Sequence, residues 1–247
     1  YYHKQAFWIK VIAVVPFTLF NAILSPGDSF LLYYTESANI SHLILKDFSN
    51  IKWLYLPSIE FDQSLLKNPL NLGYLRSENN YMIVRITTIL SYLALHKYVI
   101  LNLFFSMISF SGVWRLYRFF YEQYPHLHKQ FAIAILYLPT FVFWSAGILK
   151  DPICTGAIGW ITYALYEIFY KKKNLVSNVV IILIFGYLLY VIKVYILISY
   201  VPFFFLYLVL KNVTLIKSRI LRVTLVTGLI VLAITMFTTV MQELAGT

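Results

Sequence analysis

The feature that most constrains this chain is a series of long apolar runs with almost no charge inside them. A helix needs ~17–25 mostly apolar residues to cross a bilayer, and several of these runs reach that length. The runs are continuous rather than alternating, which excludes a transmembrane β-barrel. Only 12% of the 247 residues are charged, whereas an ordinary soluble domain has about 25%. We therefore predict an all-α, polytopic integral membrane protein.

We expect seven transmembrane helices, joined by short turns and by one long segment at the outer face. No small-residue cleavage site follows the first apolar run, which favours a retained helix over a signal peptide. The chain begins at Tyr1 and ends with "QELAGT", so we interpret it as part of a longer protein. The expected spans are about 7–24, 98–120, 130–148, 152–170, 175–192, 195–210 and 222–240.

The distribution of positive charge predicts the orientation. The net charge is +10, and Lys and Arg concentrate in the cytoplasmic loops of membrane proteins. If the N-terminus is cytoplasmic and the short stretch 82–95 does not cross, most basic residues, including those of "YKKKN", face the cytoplasm. This topology explains the charge without nucleic acid, which we do not expect as a partner. We predict an integral protein of the bacterial inner (plasma) membrane with a cytoplasmic N-terminus.

The same topology predicts a single membrane domain made of an outer segment, residues 25–97, and a helix bundle, residues 98–240. Within the outer segment, "SHLILKDFSNIKWLYL" has apolar residues at helical spacing, which predicts an amphipathic helix in the interface. As one helix, residues 175–210 would be about 54 Å long, far beyond a hydrocarbon core of ~30 Å. We therefore predict two shorter helices that turn at "IKVY", with Lys193 at the outer interface.

Several charged residues fall at the outer face in this topology, and some stand directly at the ends of predicted spans. Asp28 follows the first span, and Lys150 and Asp151 lie between the third and fourth spans, within "FWSAGILKDP". Their convergence on one face of the membrane favours a functional role. The charged residues at this face include Asp28, Glu36, Glu60, Asp62, Arg85, Lys150, Asp151 and Lys193.

Four of these side chains also have a purely structural explanation. Asp28 could be a solvated loop acid or the cap of a helix that begins near Phe30, and Asp151 is a favourable N-cap. Lys150 and Arg85 could extend along apolar surface to reach lipid phosphates.

Other kinds of site find little support in the sequence. His126 and His128 are two residues apart, whereas a helical metal site uses spacings of three or four, so we expect a cytoplasmic surface loop there. A single cysteine, Cys154, excludes an intramolecular disulfide and a zinc cluster, and we expect it to pack in the interior. There is no Gly-rich phosphate loop and no G-x-S-x-G elbow. We predict no cofactor and no metal site, while a requirement for a divalent metal stays open.

Three short motifs resemble those of the membrane-embedded GT-C glycosyltransferases, which include protein O-mannosyltransferases and the aminoarabinose transferase of lipid A. The first is "GDSFLLYY" after the first span, where the family has an acidic residue that is usually followed by a tyrosine. The second is "LPTFVFWSAGILKDP", and the third is Arg85-Ile86 before an apolar helix. The resemblance covers about residues 7–170, and this chain has Asp28-Ser29 where many members have adjacent Asp and Glu.

The resemblance implies that a sugar is transferred from a polyprenyl-phosphate donor to an acceptor at the outer face, in contact with membrane lipid. Asp28 is then the expected general base, and Arg85, Lys150 and Lys193 are expected to bind the donor phosphate. The other expected substrate-binding residues are Tyr33, Tyr34, Glu36 and Asp151. The alternative is a non-enzymatic membrane protein, namely a transporter, a flippase or a subunit of an envelope complex. A polysaccharide polymerase or ligase is a third possibility.

Overall fold

The computed structural model describes residues 2–68, 71–211 and 219–245, and all regular structure within these ranges is helical. This confirms the all-α prediction for the described residues. Short π-helical segments extend or join the α-helices at Phe20–Leu24, Asp28–Tyr34, Ala132–Tyr137 and Glu167–Lys171. The 3₁₀ segments include Phe48–Leu54, Ser58–Glu60, Gln63–Leu65 and Pro125–Leu127. The α-helices are α1 (His3–Leu19), α2 (Thr35–Lys46), α3 (Leu72–Leu75), α4 (Glu78–Leu93), α5 (Tyr98–Gln123), α6 (His128–Phe131), α7 (Pro139–Trp144), α8 (Lys150–Tyr166), α9 (Leu175–Lys211) and α10 (Arg219–Ala245).

Among the described residues, three helices are long and apolar enough to cross a membrane: His3–Leu24, Tyr98–Gln123 and Leu175–Lys211. They agree with the first two predicted spans and with the apolar stretch from 175 to 210. The structure is therefore compatible with an integral membrane protein, but it does not confirm seven spans.

Helix α1 has one face that suits lipid and one that suits a protein interior. Large apolar side chains are exposed along one side at helical spacing: Trp8, Ile12, Val15 and Leu19. The opposite side is buried and consists of Ala6, Lys10, Val14 and Phe17. A continuous exposed apolar stripe is rare on a soluble monomer, so contact with lipid tails is its natural environment.

The predicted third span, residues 130–148, is not one continuous helix. It is divided into α6, the π-helical segment Ala132–Tyr137 and α7, and it ends in the non-helical residues 145–149. Pro139 explains the first interruption, because a proline has no N–H and disfavours the helical conformation at the residue before it. Leu138 accordingly has an extended backbone, with φ −62° and ψ 115°. We call residues 145–149 the 145–149 break.

Helices α1, α5 and α8 form the centre of the fold. Side-chain contacts pair Lys10 with Ser109 and Thr18 with Asn102, so α1 and α5 run antiparallel. Contacts of Ser109 with Thr155 and of Glu122 with Tyr163 show that α5 and α8 run parallel. The end of α1 and the starts of α5 and α8 therefore lie at the same end of this bundle, which we call the polar end.

Glycines allow α5 and α8 to approach until their backbones touch. A Cβ atom added at Gly112 would lie 1.9 Å from the Gly156 carbonyl oxygen, and one added at Gly159 would lie 1.9 Å from the Gly112 carbonyl oxygen. Small residues at helix interfaces permit such close packing, which is a common basis of helix association in membranes.

The predicted outer segment is more helical than its sequence indicates. The stretch 41–56, predicted as one amphipathic helix, is divided between the end of α2 and the 3₁₀ segment Phe48–Leu54. The α-helix ends at Lys46 because Asp47 turns away and accepts a hydrogen bond from the Ser49 amide at 2.9 Å. Most of the stretch 82–95 belongs to α4, which ends at Leu93 and whose 16 residues span only about 24 Å. Much of α4 is buried inside the protein, and its depth in the membrane stays a prediction. Cys154 in α8 is buried, as expected.

The chain divides into two compact units, Tyr1–Ile192 and Lys193–Thr247. Helix α9 begins in the first unit and ends in the second, and its backbone leaves the helical conformation at Lys193, with φ −149° and ψ 74°. This interruption agrees with the break predicted at "IKVY". The predicted hairpin, the outer position of Lys193 and the single membrane domain stay predictions.

Substitution of Gly112 by Ala tests the glycine contact between α5 and α8. We expect Gly112→Ala to lower the free energy of unfolding by about 1–3 kcal/mol, because the added methyl group collides with backbone rather than with a movable side chain. The measurement is thermal unfolding of the protein in lipid nanodiscs.

Gly186→Ala is the matched control, since nothing lies within 4 Å of a Cβ atom at that position of α9. It should be neutral or stabilising by about 0.5–1 kcal/mol through helix propensity. Equal effects of the two substitutions would show that α5 and α8 are not in backbone contact.

Candidate functional site

Asp28 stands at the polar end, immediately after the first apolar helix. The π-helical segment Asp28–Tyr34 begins at this residue, and Gly27 occupies the N-cap position without a side-chain hydrogen bond. The expectation that Asp28 could cap a helix near Phe30 is therefore not met. The carboxylate is exposed, whereas the next residue, Ser29, is buried and hydrogen-bonded through Oγ to the Tyr98 hydroxyl at 2.8 Å. This bond holds the Asp28 backbone against the start of α5.

Tyr33 lies one turn further along the same segment and is buried. Its hydroxyl donates a hydrogen bond to Asn80 Oδ1 at 2.9 Å. Burial raises the pKa of the Tyr33 hydroxyl, and the negative charges of Asp28 and Asp151 raise this pKa further. The hydroxyl is therefore a firm donor at neutral pH. Both carboxylates are therefore in electrostatic range of Tyr33, although one precedes it on the same segment and the other comes from α8.

Lys150 reaches the same place from the start of α8. Its Nζ donates to Asn79 Oδ1 at 3.0 Å, and that oxygen also accepts a hydrogen bond from Ser77 Oγ at 2.7 Å. Asn79 and Asn80 are neighbours in the first turn of α4, so this turn connects Lys150 with Tyr33. We call Asp28, Tyr33, Asn79, Asn80, Lys150 and Asp151 the Asp28 group.

Asp151 does not cap α8, which corrects one expectation from the sequence. The helix begins at Lys150 and Leu149 is its N-cap, so Asp151 lies inside the first turn. A carboxylate in the first turn is favourable because the N-terminal end of a helix carries a partial positive charge. Its position on the helix leaves Asp151 in electrostatic range of Tyr33.

Arg85 makes its contacts inside the protein. Its side chain is 7% exposed, forms an ion pair with Glu78 and donates to the Leu56 carbonyl. Its guanidinium lies 4.5 Å from the centre of the Tyr81 ring. Burial raises the pKa of Glu78, but hydrogen bonds from the Ser58 amide and from Arg85, together with the Arg85 charge, lower it below its ordinary value. Arg85 thus holds the residue that precedes Asn79, and we leave it out of the Asp28 group.

Glu36 is also engaged inside the protein. It is 0% exposed, and its carboxylate accepts hydrogen bonds from the Lys67 amide at 3.2 Å, the Asn68 amide at 3.1 Å and Asn71 Nδ2 at 2.8 Å. These bonds attach the chain before α3 to α2. We assign Glu36 to the stability of the outer segment, and substrate binding by Glu36 and Arg85 stays a prediction.

The last two expected site residues differ in where they lie. Tyr34 packs beside the Asp28 group: its hydroxyl donates to the His96 carbonyl at 3.0 Å, and its ring stacks on Phe30 at 5.4 Å. These contacts give it a structural role at the start of α5. Lys193 belongs to the second unit, so the geometry of the first unit does not bear on its expected role.

The sequence did not indicate Asn79 and Asn80, which are the connecting members of the Asp28 group. A signal was present, because "SENNY" puts a serine and a glutamate before an apolar run, a pattern typical of a helix start. Nothing in that pattern, however, indicates that the start of α4 lies opposite the start of α8.

No three His, Cys, Asp or Glu side chains lie close enough to hold a metal ion in the described part of the chain. Asp28 and Asp151 are the two carboxylates of the Asp28 group, and they supply two potential ligands. The geometry by itself assigns them no metal.

A cavity of about 520 Å³ lies at the end of the first unit opposite the polar end. Its walls are mainly aromatic, and the Tyr2 hydroxyl is hydrogen-bonded to His128 Nδ1 at 2.9 Å on one side of it. The lining residues are Tyr2, Trp114, Tyr117, Arg118, Tyr121, Glu122, Pro125 and His128. His128 thus serves in a structural contact, and the Asp28 group lines no part of this cavity.

In comparisons with known proteins, no protein-family model, no curated protein and no solved structure matches this chain. The resemblance of "GDSFLLYY" and "LPTFVFWSAGILKDP" to GT-C motifs therefore stays a prediction. Function has to be inferred from the side chains that the fold brings together.

Replacement of Glu36 tests its assignment to structure. Glu36→Leu is expected to lower the free energy of unfolding by about 1–3 kcal/mol, since it removes the acceptor of the Lys67 and Asn68 amides and one of the two acceptors of Asn71 Nδ2. Thermal unfolding in nanodiscs measures the change, with the exposed Glu60→Gln as control. If Glu36→Leu were as stable as the control, the carboxylate would be free to serve another purpose.

Proposed function

We propose that this chain is a GT-C-like membrane glycosyltransferase, which transfers a sugar from a polyprenyl-phosphate donor to an acceptor hydroxyl at the outer face of the bacterial inner membrane. The observation that supports this proposal is the Asp28 group. Three separate parts of the chain, the segment after α1, the start of α4 and the start of α8, bring a carboxylate and an ammonium group to one place. The polar end then faces outward and the N-terminus lies in the cytoplasm.

A lipid-linked donor suits the distribution of apolar surface. A polyprenyl tail stays in the bilayer, beside helices such as α1 that expose apolar side chains, while its phosphate and sugar remain at the interface. Within the Asp28 group, Asp28 itself follows shortly after the end of the apolar helix His3–Leu24. A substrate held at its headgroup there keeps its tail in lipid.

Lys150 is the proposed phosphate-binding residue. Its ammonium is directed toward the first turn of α4 by Asn79, and it is itself the first residue of α8. Amide groups at helix N-termini favour anions, so the starts of α4 and α8 add to the charge of Lys150. Stabilisation of the negative charge that builds on a departing phosphate is a large contribution to catalysis.

Asp28 is the proposed general base. In the transfer step the acceptor oxygen forms a bond to the anomeric carbon, and the bond between that carbon and the phosphate oxygen breaks. The proton of the acceptor hydroxyl passes to Asp28, and the bonding electron pair leaves with the polyprenyl phosphate. The Tyr33 hydroxyl donates a hydrogen bond to Asn80 Oδ1, and Asn80 Nδ2 donates one to the Tyr74 carbonyl at 2.9 Å.

Asp28→Asn tests the base. The amide cannot take up the proton, so we expect a 10²–10⁴-fold loss of transfer rate, roughly the contribution of a general base. The assay is release of polyprenyl phosphate from a panel of polyprenyl-phosphate-linked hexoses and pentoses in proteoliposomes that contain the acceptor fraction of a cell envelope.

Glu60→Gln is the matched control, because Glu60 is an exposed carboxylate of the same outer segment outside the Asp28 group. It should keep full activity. Full activity in Asp28→Asn, with unfolding temperature and expression unchanged, would remove Asp28 from the reaction.

Lys150→Ala tests the phosphate site. Loss of one charge-assisted hydrogen bond is expected to weaken binding of polyprenyl phosphate about tenfold, measured by native mass spectrometry of the protein in nanodiscs. The control is Lys46→Ala, an exposed lysine at the end of α2. Equal affinities of the two variants would exclude Lys150 from phosphate binding.

A second candidate is the non-enzymatic one, a transporter, flippase or envelope-complex subunit. The cavity at the opposite end favours it, because a ligand there would lie away from the Asp28 group. If the protein is non-enzymatic, we expect no sugar transfer by any variant, and we expect Trp114→Ala to lose lipid translocation. The glycosyltransferase proposal expects Trp114→Ala to retain transfer as long as it folds.

A further inference from the structure

Lys10 is a buried lysine inside the first apolar helix. It is 2% exposed, and among the described residues no carboxylate pairs with it. Its Nζ donates to Ser145 Oγ, to the Ser145 carbonyl at 3.1 Å and to Ser109 Oγ at 3.4 Å. An ammonium has three donors and no acceptor, so these oxygens use all of them. Because burial of a cation in a membrane is costly, this arrangement calls for an explanation.

Two of the three acceptors belong to the 145–149 break. The break is buried, yet its backbone forms no regular helix, and backbone groups in an apolar environment need partners. Lys10 Nζ donates a hydrogen bond to the Ser145 carbonyl, and the Ile148 amide donates one to Asn102 Oδ1 at 2.9 Å. Gly147 lets the break pack closely against α1, since a Cβ atom at this position would lie 2.0 Å from the Phe17 ring. Side chains from α1 and α5 thus hold the break from two sides.

The break determines where α8 begins. Lys150 is the first residue after it and Asp151 the second. A continuous helix through residues 145–149 would rotate by about 100° at each residue and direct Lys150 differently. The observed path instead brings Lys150 to Asn79 and Asp151 into electrostatic range of Tyr33.

We propose that Lys10 is a positioning residue that holds the 145–149 break in the shape that brings Lys150 and Asp151 into the Asp28 group. It acts through the backbone and hydroxyl of Ser145, not by touching substrate. The contact of Lys10 with the 145–149 break is inferred from geometry alone. The effect of Lys10 on donor binding rests on the proposed function.

A proton-carrying or ion-coupled lysine is the other use of such a residue, as found near the middle of transporter helices. The partners of Lys10 argue against it, because all three are neutral oxygens and two belong to one residue. A hydrogen bond also joins Ser109 Oγ to Thr155 Oγ1 at 3.0 Å. The polar contacts of Lys10 therefore connect α1, α5, α8 and the break rather than forming a relay of acids.

The first test measures hydrogen exchange in the full chain in nanodiscs. Lys10→Met keeps an unbranched side chain but removes the donors, and we expect exchange at the Ile148 amide to rise about tenfold through local opening. Lys4→Met, at an exposed lysine of the same helix, is the matched control and should change nothing. Unchanged exchange at Ile148 in Lys10→Met overturns the proposal.

Ser145→Ala covers the case in which Lys10→Met does not fold. It removes one acceptor of Lys10 and leaves the carbonyl, so a smaller rise in exchange at Ile148 is expected. No rise in this variant overturns the proposal just as clearly.

The second test asks whether Lys10 acts through Lys150. Lys10→Met should weaken binding of polyprenyl phosphate about as much as Lys150→Ala, and the double variant should be no weaker than Lys150→Ala alone, since residues that act as a unit are not additive. Additive losses would mean that Lys10 does not act through Lys150.

The two tests separate this inference from the proposed function. Raised exchange at Ile148 in a protein that shows no sugar transfer supports the hold on the break and removes the glycosyltransferase proposal. Unchanged exchange in an active enzyme overturns the role of Lys10 alone. Unchanged exchange together with a loss of ion flux across proteoliposomes in Lys10→Met overturns it in favour of transport.

Discussion

The rest of the structure depends on one constraint, namely that a backbone surrounded by apolar groups must find its hydrogen-bond partners within the protein. Most of the chain meets it by forming helices. The 145–149 break does not, and it is buried between α1 and α5 all the same. Lys10 and Asn102 supply the missing partners, which explains why a cation and an amide stand inside otherwise apolar helices. The position of Lys150 and Asp151 follows from this arrangement.

The glycine contact between α5 and α8 provides the second condition for the candidate site. Gly112, Gly156 and Gly159 allow the two helices to touch, and side-chain contacts show that these helices run parallel and begin at the same end. Their starts therefore lie beside the segment that follows α1. The polar side chains of the Asp28 group meet there for a geometric reason, although they come from distant parts of the sequence.

The sequence indicates candidate residues where the signal lies in their immediate neighbours. Asp28, Lys150 and Asp151 follow apolar runs, and Tyr33 belongs to the motif "GDSFLLYY". These four are members of the Asp28 group, and their role in a reaction stays a prediction. Arg85 and Glu36 have the same kind of neighbours, yet each is paired inside the protein. Charge and spacing cannot distinguish these two outcomes, because the partners are supplied by other segments. Asn79 and Asn80 were missed for the same reason.

The sequence by itself determined the helical class and the apolar helices His3–Leu24 and Tyr98–Gln123. Length and hydropathy suffice for these, because each helix satisfies its own backbone. It also indicated the interruption at Lys193. Only the tertiary structure decided that residues 145–149 leave the helical conformation, that Lys10 holds this break and that α4 lies opposite the start of α8. These features depend on hydrogen bonds between residues about 70 to 135 positions apart, and no local pattern in a sequence specifies such pairs.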